Sequence, residues 1–354
     1  MWKKTLLTIF IICLMVGLSG CIRLTREQES QANPGGVFIS GDKGETWTRK
    51  VDLMTAGAIA GKFEDSVDVV NFTFDPTDNN YIYLGTPENG LYYSNNNGKG
   101  WIHVEGISSG FVRGVAIDHR NPCVVYVAVN TRLMKTTTCT RTWEESYKAQ
   151  SSQLVTAVGI DFFNPDILYI GTDTGDLIKS LDAGLNWERI KNFPSRVNFI
   201  KFDKDDSRHL YVGTEKSYLH ISTDAGASWT DTREFMREEF NDSNRALDLV
   251  QDPKTGTIYY ATEPWLLRSN DKGETWEEVK LLTVPKQTRI YSLAINPNNG
   301  NEFYYATGTN IYRTWDAGQT WANWRLPTRR AGRAIAVHPD DENVVYLGVR
   351  LYEQ

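Results

Sequence analysis

The sequence has few of the residues on which metal, thiol or acid–base sites are usually built. Its 354 residues include only four cysteines and five histidines. No Cys-x-x-Cys motif and no close pair of histidines is present, so a zinc site is not expected. A phosphate-cradling glycine loop and a serine–histidine–aspartate arrangement are also missing. The sequence therefore predicts no metal and no cofactor, and it argues against the common hydrolase and nucleotide-binding classes.

Basic residues are also in the minority. Lysine and arginine number 38 against 44 aspartates and glutamates, which gives a formal net charge of −6. A chain with this balance is unsuited to general binding of nucleic acid or of anionic membranes. No nucleic-acid partner is predicted.

The N-terminus has the organisation of an export signal. A basic start, MWKK, precedes an apolar run at residues 5–17, which is too short to span a bilayer as a mature helix. The run leads into Leu-Ser-Gly-Cys, which resembles a bacterial lipobox, and this resemblance implies that Cys21 is lipidated. Removal of residues 1–20 takes away Lys3 and Lys4 and shifts the net charge to −8. The prediction is an exported protein, lipid-anchored to the cell membrane or outer membrane and facing the periplasm or exterior; an ordinary signal before a chance cysteine is the alternative.

One octapeptide recurs seven times at spacings of 42 to 54 residues. The copies are SGDKGETW (40–47), SNNNGKGW (94–101), TTTCTRTW (136–143), SLDAGLNW (180–187), STDAGASW (222–229), SNDKGETW (269–276) and TWDAGQTW (314–321). A period of about 40–50 residues is typical of a β-propeller or another repeat array. Six copies match well, and the copy at residues 136–143 is degraded.

Each position of the octapeptide suits a tight turn between two strands. The third residue can accept backbone N–H groups, the fifth is a glycine that can take positive φ, and the eighth buries a large ring. We interpret these residues as structural rather than as metal ligands or acids. The third-position residues are Asp42, Asn96, Asp182, Asp224, Asp271 and Asp316, and the tryptophans are Trp47, Trp101, Trp143, Trp187, Trp229, Trp276 and Trp321.

The pattern Ser/Thr-x-Asp-x-Gly-x-Thr-Trp resembles the Asp-box, or BNR repeat. Around each copy, three short apolar segments precede the box and one follows it, which indicates a four-stranded unit. Six full units run from about residue 67 to residue 331, and the two chain ends supply the halves of a seventh. We therefore predict an all-β, seven-bladed propeller at 35–354 whose last blade is closed by N- and C-terminal strands, preceded by a signal peptide at 1–20 and a tether at 21–34.

The two remaining cysteines fall in one predicted hairpin. A turn at Asn130-Thr131 places residue 123 opposite residue 138, so Cys123 and Cys139 should be neighbours. Because an exported chain permits oxidation, we predict a disulfide that compensates for the missing Asp and Gly of the degraded copy. Free buried thiols are the alternative.

Arginines mark the start of five of the predicted first strands. They lie five or seven residues before the residue that ends each strand, so all five side chains share one face of their strands. We predict that they converge on one mouth of the central channel and attract an anionic group or an acidic peptide. The five are Arg113, Arg196, Arg245, Arg289 and Arg333, with Arg329 and Arg330 as possible extensions. The alternative is that each arginine pairs with a loop acid such as Asp65, Glu238 or Asp242.

Aromatic residues and long loops are expected on the same rim. Tyr218 and Trp265 fall in second-to-third-strand turns, where aromatics beside arginine are typical of binding hot spots; packing on neighbouring blades is the alternative. The longest loops are residues 50–66 and 231–244, and the second is expected to hold a short helical turn.

The repeats resemble those of several propeller families. The blade count, lipobox and arginines resemble the photosystem II stability/assembly factor family and, more distantly, sortilin (VPS10) propellers, which implies a protein partner. Sialidases need an Arg-Ile-Pro motif that is missing here, and Asp-box xyloglucanases use two propellers. We expect a membrane-anchored, non-enzymatic propeller that binds a protein or peptide with acidic groups as an assembly, stability or scaffold factor. A glycan-binding or glycoside-cleaving propeller is the alternative, with Asp68 and Asp248 as weak catalytic candidates, and a purely architectural envelope protein is a third possibility.

Overall fold

A computed structural model describes residues 33–55, 58–150, 152–284 and 287–351. The predicted signal peptide, Cys21 and most of the predicted tether lie outside these residues. The described residues belong to one compact unit, Asn33–Gln354. Within it, none of the described helices has the length and apolar character needed to cross a membrane.

The described residues form thirty strands, one α-helix and one 3₁₀ helix. The first fifteen strands are β1 (Gly36–Ser40), β2 (Thr48–Arg49), β3 (Asp52–Thr55), β4 (Ala58–Lys62), β5 (Asn71–Phe74), β6 (Ile82–Gly85), β7 (Leu91–Ser94), β8 (Ile102–His103), β9 (Val112–Ile117), β10 (Val125–Val129), β11 (Arg132–Thr136), β12 (Glu144–Lys148), β13 (Val155–Ile160), β14 (Leu168–Thr172) and β15 (Asp176–Ser180). The others are β16 (Glu188–Asn192), β17 (Val197–Phe202), β18 (Leu210–Thr214), β19 (Leu219–Ser222), β20 (Thr230–Asp231), β21 (Ala246–Gln251), β22 (Ile258–Thr262), β23 (Leu266–Ser269), β24 (Glu277–Glu278), β25 (Ser292–Asn296), β26 (Asn299–Ala306), β27 (Asn310–Thr314), β28 (Ala322–Arg325), β29 (Ala331–Val337) and β30 (Val345–Arg350). The α-helix α1 is Arg233–Glu239, and the 3₁₀ helix is Glu105–Ile107.

Twenty-eight of these strands pair into seven antiparallel four-stranded sheets, the blades of a propeller. Blades 1 to 6 are consecutive runs of four strands from β5 to β28, and blade 7 has the order β29-β30-β1-β2. The first strands, β5, β9, β13, β17, β21, β25 and β29, each contact the next, and β29 contacts β5, so the ring is closed. In blade 7, β1 pairs with β30 from Gly36 opposite Val349 to Ser40 opposite Val345. This confirms the predicted seven-bladed, all-β propeller closed by the two ends of the chain.

The core lies between the blades. Second strands such as LYIGT in β14, LYVGT in β18 and IYYAT in β22 are buried along their whole length. Such runs of β-branched and aromatic residues are typical of strands covered on both faces. Each strand presents one face to the preceding blade and the other to the following blade, so consecutive hydrophobic clusters join the blades into one unit.

The repeated turns connect the third and fourth strands, as the sequence predicts. In the first copy, Ser40 Oγ accepts the amide of Gly44 at 2.8 Å and donates to Asp42 Oδ1 at 2.6 Å. Asp42 also accepts the amide and hydroxyl of Thr46 at 2.8 and 2.5 Å. Lys43 and Gly44 both have positive φ, 60° and 91°. The polar groups of the turn therefore satisfy one another, which is what a structural role requires.

The turns also join neighbouring blades, which the sequence did not reveal. Tyrosines of the second strands donate their hydroxyl to a carbonyl inside the turn of the next blade. The pairs are Tyr126 to Ala183 (2.9 Å), Tyr169 to Ala225 (3.0 Å), Tyr211 to Lys272 (3.2 Å) and Tyr346 to Asn97 (3.1 Å). In each pair, the accepting carbonyl belongs to the residue directly before the turn glycine, and that residue has positive φ.

The degraded turn of blade 2 keeps the same shape by other means. Thr138 takes the place of the aspartate, and its hydroxyl accepts the amide of Thr142 at 2.9 Å. Thr140 stands in the glycine position with φ of 66°, a region that a β-branched residue rarely enters. A disulfide joins Cys139 to Cys123, with Cα atoms 4.0 Å apart.

The two long loops differ from each other in structure. Residues 50–66, expected as a loop, contain the hairpin β3–β4. The hairpin contacts blade 1 at Trp101, the residue before β8, whose amide donates to the Asp52 carbonyl at 2.8 Å. This cover leaves Trp101 fully buried, whereas most of the other repeat tryptophans are only half-buried. Residues 231–244 contain the expected helix, α1, whose Met236 is buried.

Candidate functional site

A cavity of about 410 Å³ opens where the first strands begin, at one end of the central channel. Its wall contains six arginines, Arg113, Arg196, Arg245, Arg289, Arg333 and Arg350. The five arginines chosen from the sequence are thus brought together in one place. We call this space the arginine cavity.

Positions near the starts of the first strands place these side chains. Arg113 is the second residue of β9, and Arg196 and Arg245 directly precede β17 and β21. Arg289 lies three residues before β25, and Arg333 is the third residue of β29. Because the first strands form the inner ring, residues near their starts face a common space.

Arg350 was missed because it belongs to a second strand. It ends β30, opposite Ala331 at the start of the antiparallel strand β29. A residue at the end of a second strand therefore reaches the same rim as one at the start of a first strand. The guanidinium carbons of Arg113 and Arg350 lie 3.9 and 5.6 Å from the centre of the Phe111 ring, a cation–π arrangement.

Two of the arginines are neutralised by carboxylates, and we call them the paired arc. Arg245 contacts Glu215 at 2.9 Å and Glu263 at 3.4 Å, and Arg289 contacts Glu263 at 3.1 Å. Asn198 Nδ2 donates to the other oxygen of Glu215 at 3.0 Å. The expected alternative of pairing with loop acids thus applies to these two arginines, although the acids come from the second-to-third-strand turns rather than from Asp65, Glu238 or Asp242.

The other four arginines form the unpaired arc: Arg113, Arg196, Arg333 and Arg350. Among the described residues, none of the four has a carboxylate within ion-pairing distance, and Arg333 Nη1 donates to the Tyr291 carbonyl at 3.0 Å. Arg113 Nε and Nη1 and Arg196 Nε are buried without a hydrogen-bond partner in the described part of the chain. The Nε atoms of Arg245 and Arg289 in the paired arc also lack a hydrogen-bond partner there, so the two arcs differ in their carboxylate contacts rather than in this respect. Buried donors without partners are unusual in a native protein and call for a reason.

Burial and mutual repulsion act on these guanidiniums together. Burial, followed by the charge of Arg196, lowers the pKa of Arg113 to about 10. Burial also lowers the pKa of Arg196 and of Arg333, and the charge of Arg350 adds to the effect on Arg333. Burial thus disfavours the charge of all three guanidiniums, while the nearby charges of Glu215 and Asp173 raise the pKa of Arg196 against it. An anion in the cavity would relieve this cost.

Polar side chains of the first strands fix the rim. Each donates to a backbone carbonyl at the start of the next first strand. The pairs are Asn71 to Val112 (3.0 Å), Thr156 to Val197 (2.6 Å), Asn198 to Ala246 (2.8 Å) and Ser292 to Gly332 (2.7 Å). These bonds hold adjacent blades in register, so the arginine cavity is formed before a ligand arrives.

The two aromatic candidates are not part of the cavity wall. Tyr218 and Trp265 pack in a hydrophobic cluster with Met236 and Phe240. Tyr218 is only 9% exposed, and the Trp265 indole donates to the Asn241 carbonyl at 2.7 Å. Their placement corresponds to the packing alternative.

The remaining candidates also lie elsewhere. Arg330 is buried and contacts Asp68 and the carbonyl of Asp65, so it secures the loop before blade 1 instead of extending the patch. Asp68 is thereby ion-paired, and Asp248 lies 3.4 Å from Lys201. The described residues contain no group of three or more His, Cys, Asp or Glu that could hold a metal ion.

Known proteins resemble the chain mainly in fold. A family model described as "Sortilin, neurotensin receptor 3" matches residues 265–350. No curated protein matches the chain by sequence.

Three solved structures show the likeness. The GH74 xyloglucanase from Xanthomonas campestris is 18% identical with a TM-score of 0.68, over 80% of this chain and 51% of that protein, so the chain spans about half its length. YCF48 from Cyanidioschyzon merolae is 15% identical with a TM-score of 0.59, over 80% of this chain and 96% of that one. A structure of YCF48 bound to D1 peptide is 15% identical with a TM-score of 0.60, over 90% and 97% of the two chains. At these identities the likeness concerns the fold alone.

Proposed function

We propose that this propeller binds a protein partner by taking an acidic peptide segment into the arginine cavity, and that it acts without catalysis as an assembly, stability or scaffold factor. The observation that carries the proposal is the unpaired arc. Four half-buried guanidiniums share one cavity without a carboxylate partner among the described residues. A carboxylate is the natural complement of such a set, since guanidinium–carboxylate bonds are short, strong and directional.

The surrounding charge makes this cavity distinctive. The chain as a whole carries a formal net charge of −6. A positive cavity in a negative protein attracts an anionic group locally and repels extended polyanions elsewhere on the surface. YCF48, which has the same fold, is known bound to a D1 peptide. That complex supports a peptide as the class of partner, while the acidic character of the peptide is argued from the cavity.

We further propose that Cys21 carries a lipid and holds the propeller at the cell membrane or outer membrane, outside the cytoplasm. The lipobox-like sequence supports this proposal. More than one acyl chain is needed for a stable anchor. Replacement of Cys21 by serine should move the protein from the membrane fraction to the soluble fraction, and mass spectrometry of the mature N-terminus should show the acyl groups in the wild type. An unmodified cysteine in the wild type would contradict the anchor without touching the binding proposal.

A crosslinked pull-down from membranes tests the binding function. The variant is Arg113→Gln/Arg196→Gln, and the matched control is Arg132→Gln/Arg208→Gln, which removes the same charge from arginines whose side chains are 51% and 72% exposed outside the cavity. We expect the wild type and the control to recover the same partner and the cavity variant to lose it, at an unchanged melting temperature. Equal recovery by all three proteins would reject the arginine cavity as the binding site.

A glycan-binding or glycoside-cleaving role is the second candidate. It is favoured by the TM-score of 0.68 with the GH74 xyloglucanase. Glu215 is the carboxylate in the cavity wall, and it is already engaged by Arg245 and Asn198. Cleavage of xyloglucan oligosaccharides by the wild type, abolished in Glu215→Gln, would replace the protein-binding proposal with this one.

A further inference from the structure

The arginine cavity is electrically uneven. Blades 5 and 6 contribute the paired arc, in which Glu215 and Glu263 neutralise Arg245 and Arg289. Blades 2, 4 and 7 contribute the unpaired arc. One side of the same small space therefore presents arginines without a carboxylate in ion-pairing distance among the described residues. The other side presents Glu215 in the wall, together with two wall arginines that Glu263 binds from outside the wall.

We propose, on the basis of the proposed function, that the cavity selects a peptide segment with a single acidic group. The acidic group lies against the unpaired arc, and Glu215 and Glu263 are the specificity-determining residues that reject segments with several consecutive acidic groups. The partner is thus recognised by an isolated aspartate or glutamate rather than by an acidic run.

The unpaired arc has the groups to hold one carboxylate. Arg113 and Arg350 both lie against the Phe111 ring, at 3.9 and 5.6 Å from its centre, and Arg196 lines the same cavity. Phe111 also belongs to the cavity wall, so it can contact the methylene groups of the acidic side chain. A planar guanidinium presents its donors in a fork that matches a carboxylate.

Hydrogen bonds and ion pairs hold the two carboxylates of the paired arc in fixed positions. Glu215 is fixed from two sides, by Arg245 at 2.9 Å and by Asn198 at 3.0 Å. Glu263 contacts both Arg245 and Arg289 through one oxygen. A second acidic group in this arc would meet the carboxylate of Glu215 in the wall and two arginines whose charge Glu263 already offsets. Like charges brought together across an interface suppress binding.

The cavity is small enough that a second acidic group of the same peptide would lie close to the paired arc. A volume of about 410 Å³ accommodates a short peptide segment and not a folded element. When one acidic residue occupies the unpaired arc, its neighbours in an acidic run have only the remainder of the same space. Glu215 therefore acts on the flanking residues directly, and Glu263 acts on them by offsetting the charge of Arg245 and Arg289.

Calorimetric titration of the full-length protein with two synthetic peptides tests the inference. The peptides have equal length and are built from glycine and serine, with either one central aspartate or three consecutive aspartates. The variant is Glu215→Gln/Glu263→Gln. The matched control is Glu277→Gln/Glu278→Gln, which removes the same charge from exposed residues of β24; Glu277 binds Arg268, which is not one of the cavity arginines.

We expect the wild type to bind the single-aspartate peptide at least as tightly as the triple-aspartate peptide. The cavity variant should improve binding of the triple-aspartate peptide by about tenfold more than binding of the single-aspartate peptide. The control should leave the ratio of the two affinities unchanged. If the double substitution lowers the melting temperature, Glu263→Gln alone, at a side chain that is 42% exposed, should show a smaller change of the ratio in the same direction.

Two results would overturn different parts of the proposal. If both peptides bind and the cavity substitutions change both affinities by the same factor, Glu215 and Glu263 do not select and the inference fails, while the proposed function stands. If neither peptide binds the wild type at millimolar concentration, the proposed function itself fails.

Discussion

The repeated turns and the arginine cavity both use one residue type at similar places in several blades, but they use their polar groups differently. In a regular turn, Ser40, Asp42 and Thr46 satisfy one another within a few residues of chain. In the cavity, Arg113 and Arg196 keep buried donors without partners in the described part of the chain. Repetition alone therefore does not indicate binding. The unpartnered guanidinium donors in the cavity wall are instead the feature that supports the proposed binding site.

The pKa values express the same contrast. The hydroxyl of Ser40, followed by that of Thr46, lowers the pKa of Asp42 to about 2, so the turn favours its charged form. Burial lowers the pKa of Arg113 to about 10, so the cavity disfavours its charged form. A lowered pKa stabilises a charged acid and destabilises a charged base. The hydrogen bonds of the turn thus favour a charged group, whereas burial in the cavity wall disfavours one.

The largest expected effect is on the turns. Trp101→Ala should lower the free energy of unfolding by about 3–5 kcal/mol, because it empties a fully buried site between Phe63 and Phe72. Urea unfolding measures the loss. Trp187→Ala is the control at a half-buried copy and should cost clearly less. Equal losses would mean that the cover provided by the hairpin β3–β4 does not increase the contribution of Trp101 to stability.

The next effect concerns the degraded turn. Cys123→Ser/Cys139→Ser should lower the free energy of unfolding by up to about 3 kcal/mol, because the disulfide restricts the unfolded chain over a separation of 16 residues. Reductant should reproduce the loss in the wild type and have no effect on the variant. A variant as stable as the oxidised wild type would show that the threonine hydroxyls alone maintain this turn. Peptide binding by the folded fraction should not change.

Substitution of cavity arginines should not lower the free energy of unfolding, in contrast to the two substitutions in the turns. Arg113→Gln/Arg196→Gln should leave the free energy of unfolding unchanged or raise it by about 1 kcal/mol, because it removes two half-buried charges without carboxylate partners. The same variant should lose affinity for acidic peptides. Thermal unfolding and calorimetry measure the two quantities. A large loss of stability would show that these two arginines have a structural role, as the residues of the turns do.

The smallest expected effect is the response of the turns to acid. Asp42 and Asp224 have pKa values lowered from 3.8 to about 2, by hydrogen bonds from Ser40 and Ser228 first of all. Stability from these carboxylates is complete above the unfolded value of about 4 and is lost as the pH falls toward 2. Asp42→Asn/Asp224→Asn should therefore differ from the wild type at pH 5 and converge with it near pH 2. A difference that persists at the lower pH would show that the carboxylate charge is not what stabilises the turn.

Most of the fold could be predicted because its signals are local and repeated. The octapeptide at residues 40–47 and its copies show where third strands end, and the incomplete units at the chain ends show that β1 and β30 must pair. The ladder with Val125 opposite Thr136 has the register that was expected from the turn at Asn130-Thr131. Local turn chemistry sets register, so counting along the chain is sufficient there.

The candidate site could be predicted only in part. Strand position and side-chain alternation indicated Arg113, Arg196, Arg245, Arg289 and Arg333. Arg350 was missed, because only its pairing opposite Ala331 brings the end of a second strand to the same rim. Tyr218 and Trp265 occupy the turns that the sequence indicated. Their side chains pack into the cluster around Met236 instead of the cavity wall, and only the tertiary structure shows this.

The sequence by itself determined the all-β class, the seven blades, their closure through the chain ends and the blade positions of five arginines, because each follows from short-range patterns. The tertiary structure alone decided which arginines are neutralised. Glu215 and Glu263 form ion pairs with Arg245 and Arg289 from separate second-to-third-strand turns, whereas no described carboxylate lies within ion-pairing distance of Arg113 or Arg196. Ion pairing depends on distances between blades in space, and those distances follow from how the blades pack around the ring rather than from spacing along the chain.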